Sequence, residues 1–227
     1  MKKKRTSFNI LITAGPTREF IDPVRYISNL STGTIGYLLA KQAQLQGHKV
    51  VLLSGSTHSM KLPGIKIVYF NTALDLKKQV SKFYSWADVI ICAAAVSDFR
   101  PLYTYKNKIK KKSGFSRLQL IPNPDILKEL GKKKKDKILI GFALETENLI
   151  KNAIAKLKQK NLDLVVANLL SKRNSPFGAG SVCAGIISSG QIDRFSRISK
   201  HKLARIILDR AEKLCYSFNI QKKRRDS

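Results

Sequence analysis

The sequence predicts a three-layer α/β fold with a mainly parallel central sheet, closed at its C-terminal end by a β-hairpin and a helix. Three observations carry this. Short apolar runs alternate with amphipathic segments along the 227 residues, the pattern of strands joined by crossover helices. The run Ala87–Val96 (ADVIICAAAV) is almost continuously apolar, as a parallel strand covered on both faces must be. The last third carries two short alternating runs across Ser189-Gly190 and then one long helix-forming segment.

Taken in order, residues 1–8 form a basic N-terminus expected to be disordered, and Asn9–Thr13 is the first strand. Thr13–Gly36 (TAGPTREFIDPVRYISNLSTGTIG) is a long polar loop that opens on a Gly-Pro turn and ends in a Ser/Thr/Gly cluster. A helix follows from about Gly33 to Gln46, stopped by Gly47. Lys49–Ser54 and Ile65–Phe70 are the next strands, and Thr72 caps a helix over Ala73–Trp86 whose Leu76, Val80 and Phe83 recur at helical steps. After Ala87–Val96 comes a lysine-rich loop, Leu102–Phe115, then a short strand, Leu118–Ile121. Asn123 reads as the cap of the following helix, with Pro124 in its first turn. Lys137–Ala143 is a strand ending at Glu145, Glu147–Lys160 a helix and Leu162–Ala167 a buried strand. Ser171–Gly180 is a loop, Val182–Ser188 and Asp193–Ile198 form the hairpin, and Ser199–Cys215 is the closing helix. One domain over 9–217 is expected, with 218–227 as a basic tail. The arrangement is Rossmann-like, and right-handed crossovers bring the carboxyl ends of its strands to one edge. The polar groups Arg18–Asn29, Asp98, Asp125 and Glu145 all fall just after predicted strands, so they are expected to converge there.

Composition excludes several classes. No apolar run reaches the ~18–20 residues of a membrane span, and the basic start is not followed by a signal-peptide apolar region; a cytoplasmic protein is expected. Cys92, Cys183 and Cys215 fit no disulfide or zinc pattern, and His48, His58 and His201 have no metal-ligand spacing. Lys and Arg number 43 against 15 Asp and Glu, a formal net charge of +28. That excess reads either as attraction to polyanions or as lysine-rich solvated faces. No aromatic residues interleave the basic runs to stack bases, so no specific nucleic-acid partner is expected.

The polar loop suggests chemistry. A strand, a loop with Gly15, and a helix whose first amides lack intrahelical partners together make an anion site, with Gly33 and Gly36 allowing close approach and Ser31 and Thr32 adding hydroxyls. Asp98 reads as an acceptor for a nucleotide's base or ribose, or as a turn-forming acid. Lys108-Ile109-Lys110-Lys111 reads as a polyphosphate lid or as a charged loop. Asp125 reads as ligand or cap, and Lys156 and Lys160 share one helix face. Asn29 has the amide donors that an oxyanion needs.

The motifs TAGPTREFIDPVRYISNLSTGTIG, AAAVSDFRP, KIKK, NPDIL, GFALETEN and KQKNLDLVVAN, in this order from about Asn9 to Leu214, resemble those of the phosphopantothenate–cysteine ligases. The resemblance implies a bacterial ligase in stand-alone form that joins 4′-phosphopantothenate and L-cysteine in coenzyme A biosynthesis. CTP would serve as co-substrate, with an acyl-nucleotide intermediate, Mg²⁺ on the triphosphate, and a homodimer. It implies catalytic roles for Asn29 and Lys108. It assigns Gly15, Cys92, Ala93, Ala94, Asp98, Lys108, Pro124, Asp125, Ile126, Leu127, Phe142, Lys156 and Lys160 to the nucleotide. Arg25, Asn29, Ser31, Gly33, Gly36 and Ala95 fall on the phosphopantothenate side, and no residue is assigned as a metal ligand. The family's usual lysine in the Ser/Gly turn is Thr34 here. An NAD(P)-binding oxidoreductase is the rival reading of the α/β pattern. It lacks support from a G-x-G-x-x-G after the first strand, or from an acid at the end of Lys49–Ser54.

Overall fold

The computed structural model describes residues 6–57, 61–111, 117–170 and 180–225, by backbone alone from 219 onward. Strand β1 (Asn9–Ala14) alternates its side chains between two faces and leads into Gly15, whose φ of +79° turns the chain. The loop that follows is not structureless. It folds back as a two-stranded hairpin, β2 (Arg18–Phe20) against β3 (Tyr26–Ser28). Helix α1 (Thr34–Leu45) starts from Gly33 in the left-handed region and is followed by β4 (Lys49–Ser54) and β5 (Lys66–Tyr69). Thr72 and Asp75 form a reciprocal capping box at the start of α2 (Ala73–Phe83), satisfying two orphan amides at once.

The central apolar run is strand only over β6 (Val89–Cys92); residues 93–98 leave the sheet as an extended connection. A second small hairpin follows, β7 (Phe99–Pro101) against β8 (Leu120–Pro122), so the short strand expected near residue 120 pairs outside the main sheet. Helix α3 (Ile126–Lys133) is capped by Asp125, which accepts from the Lys128 amide; Asn123 is not the cap and is bonded elsewhere. The chain continues through β9 (Ile138–Glu145), α4 (Leu149–Gln159) and β10 (Leu164–Leu169). The predicted hairpin is present as β11 (Ser181–Ser188) and β12 (Gln191–Ser199), and α5 (Lys200–Arg225) closes the fold. Helical backbone therefore continues into the segment read as a tail, and Phe8, assigned to a disordered start, is buried in the core. Residues 1–5 and most of the loop expected at 171–180 lie outside the described residues.

The eight strands run in the order β12-β11-β10-β9-β6-β1-β4-β5, the six from β10 to β5 parallel and the last two antiparallel. The chain builds outward from β1 to β5 and then crosses back to lay β6 on the other side of β1. That reversal leaves a crevice beyond the carboxyl ends of β1 and β6. Odd and even residues of the strands feed two cores. Ile10 and Ile12 pack with Tyr37, Leu39, Leu203 and Ile207 under α1 and α5. Leu11, Val51 and Leu53 pack with Leu76, Val80, Leu130 and Leu157 under α2, α3 and α4.

Helix α1 lies close against β1 because Gly36 has no side chain: a Cβ there would stand 2.4 Å from Ala14 Cβ. Alanine is the better helix former by about 1 kcal/mol, but overpacking typically costs about 1–3 kcal/mol. Gly36→Ala should therefore lower the urea midpoint. A midpoint equal to or above the wild type's would show that α1 is free to move away from β1.

Candidate functional site

The crevice is held by a ladder that continues past the ends of β1 and β6. The Ala93 amide donates to Thr13 O at 3.2 Å, Ala95 to Gly15 O at 2.9 Å, and Thr17 to Ala95 O at 3.2 Å. Two threonine hydroxyls complete it: Thr13 Oγ1 accepts from the Ala94 amide and Thr17 Oγ1 from the Ser97 amide, each at 3.0 Å. Both threonines are buried, so their hydroxyls have little alternative to these amides. Irregular backbone that leaves a sheet needs such partners.

Beside this ladder lies a cavity of about 220 Å³. Its apolar wall comes from Leu76 and Val80 on α2, Cys92, Ala94 and Val96 after β6, Ile126 and Leu127 on α3, and Phe142 on β9. Its polar rim is Thr13, Ser97, Asp98, Asn123, Asp125, Lys156 and Lys160, with Pro124 between the last asparagine and aspartate. A slot that is apolar along its walls and cationic at one end suits a flat ring attached to an anion.

Each charge at the rim has a defined setting. Lys160 Nζ sits 2.8 Å from Asp125 Oδ2, and Lys156 Nζ donates to Phe142 O at 2.6 Å. Burial, and then the neighbouring Lys160 charge, holds Lys156 below the usual lysine range. Burial opposes ionisation of Asp125, but the hydrogen bonds from Lys160 and the Lys128 amide outweigh it and hold its carboxyl below the usual carboxylate range. Cys92 is pushed up to about 12 by burial, with Lys156 and Lys160 pulling weakly the other way. At neutral pH it is a thiol, and a thiol is a poor nucleophile. Cys92 is a wall residue.

The second cluster stands across the Ala95 connection from the cavity. Asn29 donates through Nδ2 to Ala95 O at 3.3 Å. Asp22 is fully buried and takes a forked pair from Arg25, together with the amides of Val24, Arg25 and Ile109. These bonds, the Arg25 partner first, hold the Asp22 carboxyl well below the usual range. Arg25 also donates to Ile109 O at 3.0 Å. The KIKK segment is thereby pinned to the β2–β3 hairpin through the backbone of Ile109, while Lys108 beside it is exposed and does not line the cavity. Ser31 Oγ accepts from the Gly33 amide at 3.3 Å. Gly15 and Gly33 touch, since a Cβ on Gly33 would meet Gly15 N at 3.2 Å. Gly36 is turned into the β1–α1 contact.

The structure thus gathers Cys92, Ala94, Asp98, residues 124–127, Phe142, Lys156 and Lys160 in one cavity, with Ala93 in its supporting ladder. Asn29 and Ala95 meet beside it, Arg25 belongs to the Asp22 cluster, and Gly15, Ser31 and Gly33 form the turn above β1. Reading the sequence missed Thr13, Thr17, Ser97 and Asn123 as site residues. Asn123 donates to Ser97 O and accepts from Arg100, so it braces the cavity rim. A signal was present for Ser97, which directly precedes Asp98 after the most apolar run. Among the described residues no three His, Cys, Asp or Glu stand close enough to hold a metal ion.

Asp125 both caps α3 and holds Lys160, and two substitutions separate these roles. Asp125→Asn keeps a capping acceptor and loses the charge; Asp125→Ala loses both. The alanine variant should be less stable than the asparagine variant by about 1 kcal/mol in urea unfolding; equal stabilities would remove the cap. Because the folded carboxyl lies below its ordinary value, the contribution of its charge is present above the usual carboxylate range. It is lost as pH falls through the lowered folded value. The gap between wild type and the asparagine variant should therefore close on acidification and hold steady around neutrality.

The sequence and fold have known relatives. A family model described as the DNA/pantothenate metabolism flavoprotein C-terminal domain matches residues 6–214. The coenzyme A biosynthesis bifunctional protein CoaBC of Bacillus subtilis (strain 168) is 45% identical over 172 residues, 75% of this chain and 42% of that protein. CoaBC of Borreliella burgdorferi is 41% identical over 202 residues, 88% of this chain and 51% of that protein. The chain spans about half the length of these curated relatives. The crystal structure of the C-terminal domain of a CoaBC protein superposes with a TM-score of 0.79 at 35% identity, covering 92% of this chain and 96% of that one. A Cab2 mutant in complex with phosphopantothenate-cysteine gives 0.74 at 22% identity over 95% and 89% of the two chains, a likeness of fold. On a match from residue 6 to residue 214, the chain belongs to the family of DNA/pantothenate metabolism flavoprotein C-terminal domains.

Proposed function

We propose that the chain joins 4′-phosphopantothenate to L-cysteine, with CTP as the activating co-substrate. The observation that carries this reading is the convergence of Asp98, residues 124–127, Phe142, Lys156 and Lys160 on one cavity at the β1/β6 crevice. These are positions that the ligase motifs assign to the nucleotide. The CoaBC relatives are named for coenzyme A biosynthesis, and the complex with phosphopantothenate-cysteine belongs to a protein of the same fold.

In the first step the substrate carboxylate attacks the α-phosphorus of CTP, the bond to the bridging oxygen breaks, and pyrophosphate leaves. In the second the cysteine amine attacks the acyl carbon, the bond to the phosphate oxygen breaks, CMP leaves, and the amine gives up a proton. Lys156 and Lys160 lie at the cationic end of the slot, and Lys108 offsets charge on the leaving pyrophosphate. Asn29 has one amide hydrogen directed to Ala95 O and a second available to the acyl oxygen, whose charge grows as the amine adds. Arg25 and the turn at Ser31 and Gly33 lie on the phosphopantothenate side. Thr34 leaves that phosphate without the family's usual lysine, and the first amides of α1, which no side chain caps, suit an anion there.

Among the described residues no donors form a protein cage for Mg²⁺. Those present fit an ion that arrives on the triphosphate and keeps its waters, since Mg²⁺ is commonly held by substrate phosphates. Such an ion would supply further neutralisation of the polyphosphate. A homodimer is also proposed; Val24, Tyr26 and Leu30 on and beside the hairpin, with Phe99, Tyr103 and Leu120 on adjoining segments, are exposed apolar residues that a second copy would cover. Among the described residues no helix is long and apolar enough to cross a membrane; a cytoplasmic location is proposed.

Pyrophosphate release with phosphopantothenate, Mg²⁺ and either CTP or ATP tests the reading. Release should require phosphopantothenate and favour CTP; a folded sample that releases none with either nucleotide would overturn it. Two variants test the roles in the same assay. Lys108→Gln should slow pyrophosphate release by about 100-fold, the scale of one transition-state charge donor, and unchanged release would remove Lys108 from its role. Asn29→Asp should release pyrophosphate once per active site but pass the acyl-nucleotide poorly to cysteine. Normal product formation by that variant would end the oxyanion assignment.

A further inference from the structure

Ser97 lies in the cavity wall between Val96 and Asp98 and is 4% exposed. Its backbone is fully engaged, the amide donating to Thr17 Oγ1 at 3.0 Å and the carbonyl accepting from Asn123 Nδ2 at 2.9 Å. Its hydroxyl is not. Ser97 Oγ is buried and has no hydrogen-bond partner, whereas buried polar groups are almost always paired and an unpaired one lowers stability. The other side-chain atoms in this condition among the described residues are Gln46 Oε1 and Asn168 Oδ1, and neither lines the cavity. An unsatisfied hydroxyl in a cavity-lining residue can gain its missing partner from a ligand atom.

We propose that the Ser97 hydroxyl hydrogen-bonds the nucleoside portion of the bound nucleotide, and so helps set nucleotide affinity; the proposal rests on the cavity being the nucleotide site. The charge distribution selects the nucleoside. The cations of the rim, Lys156 and Lys160, come from α4 and the residue after it, and they mark the phosphate end. Ser97 directly precedes Asp98 in the cavity lining, and a carboxylate there repels phosphate and accepts from neutral hydroxyl or amino groups. A serine hydroxyl rotates to donate or accept, so it complements the same neutral groups. The bonds to Thr17 and Asn123 fix the backbone that carries the hydroxyl before ligand arrives, which limits the ordering cost of binding.

The test is Ser97→Ala, a smaller residue that removes only the unpaired oxygen. Without nucleotide the variant should melt at or above the wild-type temperature. With CTP its gain in melting temperature should be smaller than the wild type's. Its KM for CTP should rise about three- to tenfold, the weight of one hydrogen bond, with kcat and the KM for phosphopantothenate held. A wild type that CTP stabilises, beside a variant with the same CTP shift and the same KM, would overturn the role of Ser97 and leave the nucleotide reading standing. A wild type that neither CTP nor ATP stabilises would overturn both.

Discussion

The site depends on how two strand exits are held together. Where strand order reverses between β1 and β6, each chain leaves the sheet with no neighbouring strand to receive its amides. The structure meets this with its own backbone and two buried threonines: Thr13 takes Ala94, Thr17 takes Ser97, and Gly15 takes Ala95. Each bond is modest, about 0.5–1.5 kcal/mol net, but an unmet buried amide costs about 1–3 kcal/mol. The ladder is therefore the low-energy arrangement, and it fixes the wall on which Cys92, Ala94, Val96, Ser97 and Asp98 are displayed.

A chain with 15 acids against 43 bases spends several of those acids on structure. Glu19, buried, accepts from the Ala73 amide at the start of α2. Asp22 joins the hairpin to the Ile109 backbone. Asp125 caps α3 and restrains Lys160, and Asp163 accepts from the Leu139 amide and from Lys134. Buried carboxylates survive only when hydrogen-bonded or paired, and the two that are buried, Glu19 and Asp22, both are. The cations have far fewer acids to meet, so positive charge is left facing the cavity and the surface. No thiolate is available at the wall, since Cys92 is held protonated; the chemistry open to this site is positioning and charge stabilisation.

The architecture was legible because it rests on periodicity. Continuous apolar runs marked the parallel strands, Thr72 and Gly47 marked helix ends, and the alternating pair before the last helix marked the hairpin. What escaped depended on contacts distant in sequence. Three-residue strands such as β2 and β7 are too short for an alternating pattern to show, and they exist because each finds a partner. Asn123 has the residue type of a cap, and only the fold reveals that Asp125 takes that place while Asn123 reaches back to Ser97. Much of the cavity was named through motif resemblance. Thr13, Thr17 and Ser97 stand inside two of those motifs but drew no role, because their contribution is to bridge two strand exits roughly eighty positions apart.

The division of the site into two clusters has a mechanical consequence. The cavity is built on the rigid sheet edge and on helices capped by Thr72 and Asp125. The Asn29 side is built on a two-stranded hairpin, and such a ribbon has little stability of its own. Its rigidity comes from Asp22, which joins Arg25 to the Ile109 backbone and so binds hairpin and KIKK loop into one unit. Tyr105 N donating to Ile21 O and Thr104 Oγ1 donating to Phe20 O extend that seam. On the proposed reaction this matters at both steps, since the residue assigned to the leaving pyrophosphate and the residue assigned to the acyl oxygen ride on the same unit. Their spacing is then set by Asp22 and Arg25, while Glu19 on the Ala73 amide and Asn29 on Ala95 O tie the same unit to the cavity.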